Sequence, residues 1–268
     1  MTLPYNLDIP NKALRLPKAL TEVSGIAVTS QGTCAWAIND EQGRLFLVDL
    51  NTGEVRSERK FAKRGDYEGI EVVEDSVVVV RSDGRLWQVR QNETIDHDSP
   101  LSKKADVEGL ALDAHRSRLL VACKGPSGPE AAKDERCIYS LCLPSYEWQA
   151  QPAYVVRHDD LGAFIASHPE CGVRARQAKD FSPSAIAVEP STGQIYLLSS
   201  RAKLLVVLDG DAGHLVWVAA LRRRVHAQPE GLSFDASGSL YLTNEGRTSQ
   251  ATLLRFDRLE RPPLAAPS

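Results

Sequence analysis

Glu68-Gly69-Ile70-Glu71 is a four-residue phrase that recurs, with drift, along the chain. It returns as Ser24-Gly25-Ile26-Ala27, Glu108-Gly109-Leu110-Ala111, Ser184-Ala185-Ile186-Ala187 and Glu230-Gly231-Leu232-Ser233. Each copy has a polar residue, a small one, a branched aliphatic and then more strand. The first members lie 44, 40, 76 and 46 residues apart. A four-stranded propeller blade takes roughly 40 to 50 residues, so three of the four intervals each hold one blade.

Within an interval the signals keep one order: alternating strand, turn, strand, turn, and two strands more. The first runs through Gly25–Thr29, Cys34–Ile38, Arg44–Leu50 and Glu54–Lys60, and the second through Gly69–Val73, Ser76–Arg81 and Arg85–Arg90. The fourth holds Ile186–Val188, Gln194–Ser199, Lys203–Asp209 and Leu215–Leu221. Turns such as Ser82-Asp83-Gly84 and Ser191-Thr192-Gly193 suit tight hairpins, because glycine takes positive φ without steric cost. The 76-residue interval carries its own meander plus two insertions, a loop at about 125–135 and a helix-like segment at 158–179. The last interval has only three strands, Gly231–Phe234, Ser239–Thr243 and Thr252–Leu259, which leaves Ala13–Leu20 to supply the fourth and remove an open sheet edge. The expected fold is an all-β, five-bladed β-propeller over residues 1–268, closed by the N-terminal strand, with a short helical insertion in the third blade. Six blades would require that insertion to be a degenerate blade. Trp36, Trp87 and Trp217 are expected as aromatics packed between blades.

Composition narrows the function classes. The chain has 268 residues, 43% hydrophobic and 25% charged, with a formal net charge of −3. That balance argues against nucleic acid or anionic lipid as the main partner. No stretch approaches 18 apolar residues and no leader is apparent, so no membrane association, a monomer and a cytoplasmic location are expected, or a periplasmic one if a leader had been removed. Cys34, Cys123, Cys137, Cys142 and Cys171 show no C-x-x-C spacing and read as reduced thiols. His115, His158, His168, His214 and His226 fall in turns or insertions and read as surface histidines. There is no G-x-S-x-G elbow, GxGxxG or P-loop phrase.

Three longer phrases, Gly65-Asp66-Tyr67-Glu68-Gly69-Ile70-Glu71, Phe181-Ser182-Pro183-Ser184-Ala185-Ile186-Ala187 and Gln228-Pro229-Glu230-Gly231-Leu232-Ser233-Phe234, occur with Asn39-Asp40-Glu41-Gln42-Gly43. In that order and spacing they resemble the SdiA-regulated family of bacterial propeller proteins, from about Leu20 to Asp257. The resemblance implies a propeller related to NHL-repeat, strictosidine-synthase-like and lactonase-like proteins, some with calcium in the central channel. It brings no established reaction. The insertions between Gly125 and Lys179 match no family motif.

Blade geometry places the candidate site. The first strand of each blade lines the channel, so the leading residues of the phrase form a ring: Ser24, Glu68, Glu108, Ser184 and Glu230. The ends of the second strands add Asn39, Asp40 and Glu41; Arg81; Lys124; Ser200; and Asn244 and Glu245. Three converging carboxylates need compensation, either from a cation or from Arg81 and Lys124. Glu68, Glu108, Glu230 and Asn244 have the oxygen chemistry of a calcium site, while the lack of His or Cys in the ring disfavours zinc or copper. Asn39, Arg81, Lys124, Ser184 and Ser200 are expected to touch a ligand. The preferred expectation is binding of calcium together with a small ligand or protein partner at the channel. The alternative is a calcium-dependent hydrolase of a lactone, ester or phosphoester, with Asp40, Glu41 or Glu245 activating water.

Overall fold

Every interval folds as an antiparallel meander, because β-branched runs alternate with glycine turns such as Gly53, Gly84 and Gly193, all at positive φ. The structure is a computed structural model and describes residues 3–126, 132–246 and 249–259. Blade one consists of Val23–Val28, Cys34–Asn39, Arg44–Asp49 and Val55–Lys60. Blade two consists of Tyr67–Val73, Ser76–Arg81, Leu86–Val89 and Thr94–His97. Blade three runs through Val107–Asp113, Arg118–Cys123 and Glu135–Cys142. Its outer edge is split into Glu147–Trp148 and Tyr154–Arg157, both paired with the third strand. Blade four is Ala185–Val188, Ile195–Ser199, Leu204–Leu208 and Leu215–Ala220. Blade five takes Pro229–Phe234, Leu240–Asn244 and Thr252–Phe256, and Lys12–Arg15 closes it in antiparallel register, Lys12 opposite Arg255. Successive inner strands touch in a ring, blade five returning to blade one. Five blades closed by the N-terminal strand are therefore what the repeat spacing predicted.

The repeat phrase is explained by that ring. A Cβ on Gly69 would lie 2.6 Å from the Leu110 nitrogen, and one on Gly109 would lie 2.9 Å from the Ile186 nitrogen. The second residue is small because inner strands of neighbouring blades nearly touch there. The third residues, Ile26, Ile70, Leu110, Ile186 and Leu232, are all buried and plug the channel. Two fourth positions stitch blades: Oε2 of Glu71 accepts from the Leu112 nitrogen at 3.0 Å, and Ser233 Oγ accepts from the Val28 nitrogen at the same distance. Between each neighbouring pair of blades lies one apolar cluster, as with Leu45, Tyr67 and Val79 between blades one and two. Fully burying one such side chain contributes about 1.5–3 kcal/mol, so the blade interfaces supply the main cohesion. Trp36, Trp87 and Trp217 pack, partly buried, against these clusters.

The insertion at 158–179 forms the helix His158–Ser167 and short 3-10 turns at Pro169–Cys171 and Ala175–Asp180. Leu161 and Ile165 face a cluster shared with blades three and four, while Asp159 and Asp160 suit the positive end of the helix dipole. Of the predicted loop at about 125–135, residues 127–131 lie outside the described residues. Two histidines correct the surface expectation. His226 is fully buried with Nε2 2.8 Å from the Leu7 carbonyl, and His158 is nearly so, with Nε2 2.8 Å from the Phe181 carbonyl. Each ring pins an inserted or terminal segment to the propeller. No described helix is long and apolar enough to cross a membrane.

Candidate functional site at the channel mouth

In four blades the inner strand begins with a register shift, between Val23 and Gly25, Tyr67 and Gly69, Val107 and Gly109, and Pro229 and Gly231. The skipped residues are Ser24, Glu68, Glu108 and Glu230. A bulge leaves one residue without a partner and re-aims its side chain, which is how the leading residue of each phrase reaches the mouth of the plugged channel. Blade four has no such shift; Ser184 Oγ there accepts from the Ser200 nitrogen at 3.1 Å and donates to the Pro229 carbonyl at 2.9 Å.

Backbone bonds fix the rim. The carbonyls of Glu22, Asp66, Asp106 and Gln228 accept from the nitrogens of Asp40, Ser82, Lys124 and Glu245, each acceptor lying two residues before its phrase. Blade-to-blade bonds continue the ring, from the Tyr67 nitrogen to the Asp40 carbonyl at 2.9 Å and from the Val107 nitrogen to the Ser82 carbonyl at 2.9 Å.

The carboxylates at the mouth act on one another's charge. Glu68 is held well above the ordinary range by burial, by the charges of Glu108, Asp66 and Asp40, and by a hydrogen bond with Asp66. Burial likewise raises Glu108, with Asp106 and Glu230 adding to the rise, while Lys124 opposes it through an ion pair of 2.5 Å. Glu230 is pushed up to about 7 by burial and by Glu245, against hydrogen bonds from Ser200 and Gln228 and the charge of Lys124. Asp40 is raised to about 6 by burial, Glu22, Glu41 and Glu245, and its Oδ1 is buried without a hydrogen-bond partner. Carboxylates from blades one, two, three and five thus share one opening. Lys124 compensates Glu108, the alternative to a metal that the sequence named.

A pocket of about 380 Å³ opens on the side of blades three to five, lined by Glu108, Lys124, Ser184, Ser200, Arg223 and Glu230 among others. It gathers Lys124, Ser184 and Ser200 of the expected ligand residues with Glu108 and Glu230 of the expected metal set. Other expected residues are occupied elsewhere. Arg81 forms a two-pronged bond to Asp83, at 2.9 and 2.6 Å, and lies over Trp87. Asn39 fixes its own turn, donating to the Ala19 carbonyl and accepting from the Gln42 nitrogen. Glu41 is exposed and paired with Arg64, and Glu245 accepts from Gln228. Asn244 turns its amide nitrogen to the Val225 carbonyl and Thr252 Oγ1, each at 3.1 Å, leaving Oδ1 buried and without a hydrogen-bond partner. Among the described residues no group of three or more His, Cys, Asp or Glu side chains converges to hold a metal ion.

Sequence reasoning missed Asp66, Asp106 and Glu22, which raise their neighbours, and Gln228 and Arg223 in the pocket. A signal existed. Glu22, Asp66, Asp106, Ser182 and Gln228 each stand two residues before the phrase, so the polar pattern extends upstream of it.

With this geometry in view, comparison with known proteins is informative. Residues 147–247 match the SdiA-regulated family. The matched stretch runs from the outer edge of blade three to the second strand of blade five and includes two of the phrases that carried the resemblance. Several solved structures share this chain's fold. A Myxococcus xanthus glutaminyl cyclase aligns with a TM-score of 0.59 at 14% identity, over 94% of this chain and 97% of its own. A luciferin-regenerating enzyme gives 0.53 at 10%, over 89% and 92%. A chain of a nidogen/laminin complex gives 0.54 at 12%, over 83% and 72%. At these identities the likeness is one of fold. No curated protein matches in sequence.

Proposed function

We propose that this propeller binds a small polar ligand at its channel mouth, drawing in a cationic group of that ligand, a metal cation or an amine, between carboxylates of different blades. The observation that carries the reading is the gathering of Asp40, Asp66, Glu68, Glu108 and Glu230 around one rim, where the charges of Glu108, Asp66 and Asp40 all act on Glu68. Acids crowded in a partly desolvated opening focus negative potential and favour either protonation or a cation. Calcium is the cation expected from the sequence and suits carboxylate oxygens. The residues as placed do not form a cage for it: Lys124 holds Glu108, Asn244 faces Val225 and Thr252, and no three acids converge. In this reading the ligand brings its own cationic centre to the mouth.

Calorimetry of the full chain with calcium chloride and, separately, putrescine tests this. Binding of at least one is expected to be saturable, to release protons from Glu68 at pH 7, and to be lost in Glu68→Gln. Heats no larger than dilution for both cations would sink the reading. A hydrolytic role is favoured by one observation, that Asp40 and Glu230 are held at about 6 and 7, where a carboxyl can both take and give a proton. Turnover of a lactone, aryl ester or phosphoester panel, with and without calcium, tests it; silence across the panel excludes it.

A further inference from the structure

Next to the acidic mouth lies a depression of opposite charge. Its volume is about 510 Å³, and Arg176, Gln177, Asp180, Arg201, Lys203 and Arg223 line it between blade four and the insertion. Arg201, Lys203 and Arg223 also border the mouth pocket, so the two cavities share a wall. Four cations face one carboxylate here. Asp180 meets Arg201 at 3.6 Å with both side chains largely exposed, and Arg176 and Arg223 make no ion pair among the described residues. Beyond Arg201 stands Arg136, lowered from its ordinary value by burial and then by Arg201, with Asp134 and Cys137 opposing; its Nε is buried without a hydrogen-bond partner.

The walls are fixed rather than loose. Gln177 Nε2 donates to the Ala202 carbonyl at 3.0 Å, Lys203 Nζ to the Ala227 carbonyl at 2.7 Å, and the Leu221 nitrogen to the Lys203 carbonyl at 2.8 Å. These bonds tie the insertion, the turn after Ser199 and the segment after blade four into one frame. Guanidinium groups lining a cavity offer the paired N–H donors that a tetrahedral oxyanion accepts.

We propose that this trough seats a phosphate group of a small ligand whose amine or other cationic end faces the acidic mouth. The second half of that statement rests on the function proposed above, whereas the phosphate seat stands on the trough alone. The ligand class is a small phosphate monoester that also carries positive charge.

Calorimetry at 50 mM salt with inorganic phosphate, O-phosphoethanolamine and ethanolamine separates the two halves. Inorganic phosphate is expected to bind saturably, and O-phosphoethanolamine about tenfold more tightly. Arg176→Ala and Arg223→Ala should each weaken both by about tenfold, while Arg44→Ala, which removes a pair with Glu58 on blade one, should leave them unchanged. Glu68→Gln should abolish only the advantage of the amine. Absence of saturable phosphate binding, or indifference to the two arginine variants, overturns the seat. Equal affinity for phosphate and O-phosphoethanolamine overturns the link to the mouth while leaving the seat intact. Tighter binding of a phosphoserine peptide than of O-phosphoethanolamine overturns the assignment to a small ligand.

Discussion

Lys124 places its ammonium 2.5 Å from Oε1 of Glu108, and because Glu108 is nearly buried while Lys124 is almost half exposed, the two lose unequally when parted. Lys124→Met leaves an acid in a poorly solvated place, so Glu108 rises further and ionisation opposes folding. The variant should lose about 1–2 kcal/mol at pH 8, less than a fully buried pair because water screens the lysine, and almost nothing at pH 4.5. Denaturant melts at the two pH values check this; equal losses at both would remove the electrostatic account of the pair. Single side chains also mark the limit of what the sequence revealed. Arg81 and Asn244 do end the second strands of their blades, but Asp83, two residues away, captures Arg81, and Val225 and Thr252 capture Asn244. Spacing locates a backbone; the nearest partner decides where a side chain turns. Asp66 was readable, since it stands two residues before Glu68 at the entry to the strand, yet only its charge acting on the Glu68 carboxyl reveals why it matters.

At the scale of elements, the phrase that organises the chain works through its glycine. A methyl at Gly69 would meet the Leu110 nitrogen at 2.6 Å and the carbonyl carbon of Gly109 at 2.9 Å, both backbone atoms of the next blade. Gly69→Ala must push two inner strands apart and should cost about 1–3 kcal/mol. Gly32 has positive φ and nothing within 4 Å, so Gly32→Ala carries only conformational strain, about 1 kcal/mol. Chemical denaturation of the pair should rank Gly69→Ala as the more damaging; the reverse order would contradict the packing account. The strands themselves were legible because glycine turns and alternation are local. The bulges were not, since a register shift belongs to two paired strands and leaves no mark in either alone. Nor were the burial of His158 and His226 legible, because each imidazole meets a carbonyl 23 or 219 residues away in sequence.

For the molecule as a whole, closure and charge are the two global properties. Lys12–Arg15 covers the last edge, and Tyr5 and Leu7 bury themselves in the cluster between blades four and five. Deleting residues 1–15 should lower the melting temperature by more than 10 °C, roughly 3–5 kcal/mol for a chain of this size, and promote association through the bared strand; calorimetric scanning with light scattering reads both. The acidic mouth sets the pH response. Asp40 and Glu230 are raised from 3.8 to about 6 and from 4.5 to about 7, so their stabilising contribution is complete below the unfolded values and is lost as pH climbs through the folded ones. Thermal stability should therefore fall between about pH 5 and 8, and Glu68→Gln, a permanently neutral stand-in, should exceed the parent at pH 8 by on the order of 2 kcal/mol and match it at pH 4.5. The central claim is that acids of separate blades sense one another across the rim, and carboxyl carbon-13 NMR titration of the glutamates tests it most directly. Glu230 should titrate about pH 7 and Glu68 and Glu108 well above the ordinary range, with Glu230→Gln lowering the midpoint of Glu108; three independent midpoints near 4.5 would contradict the account.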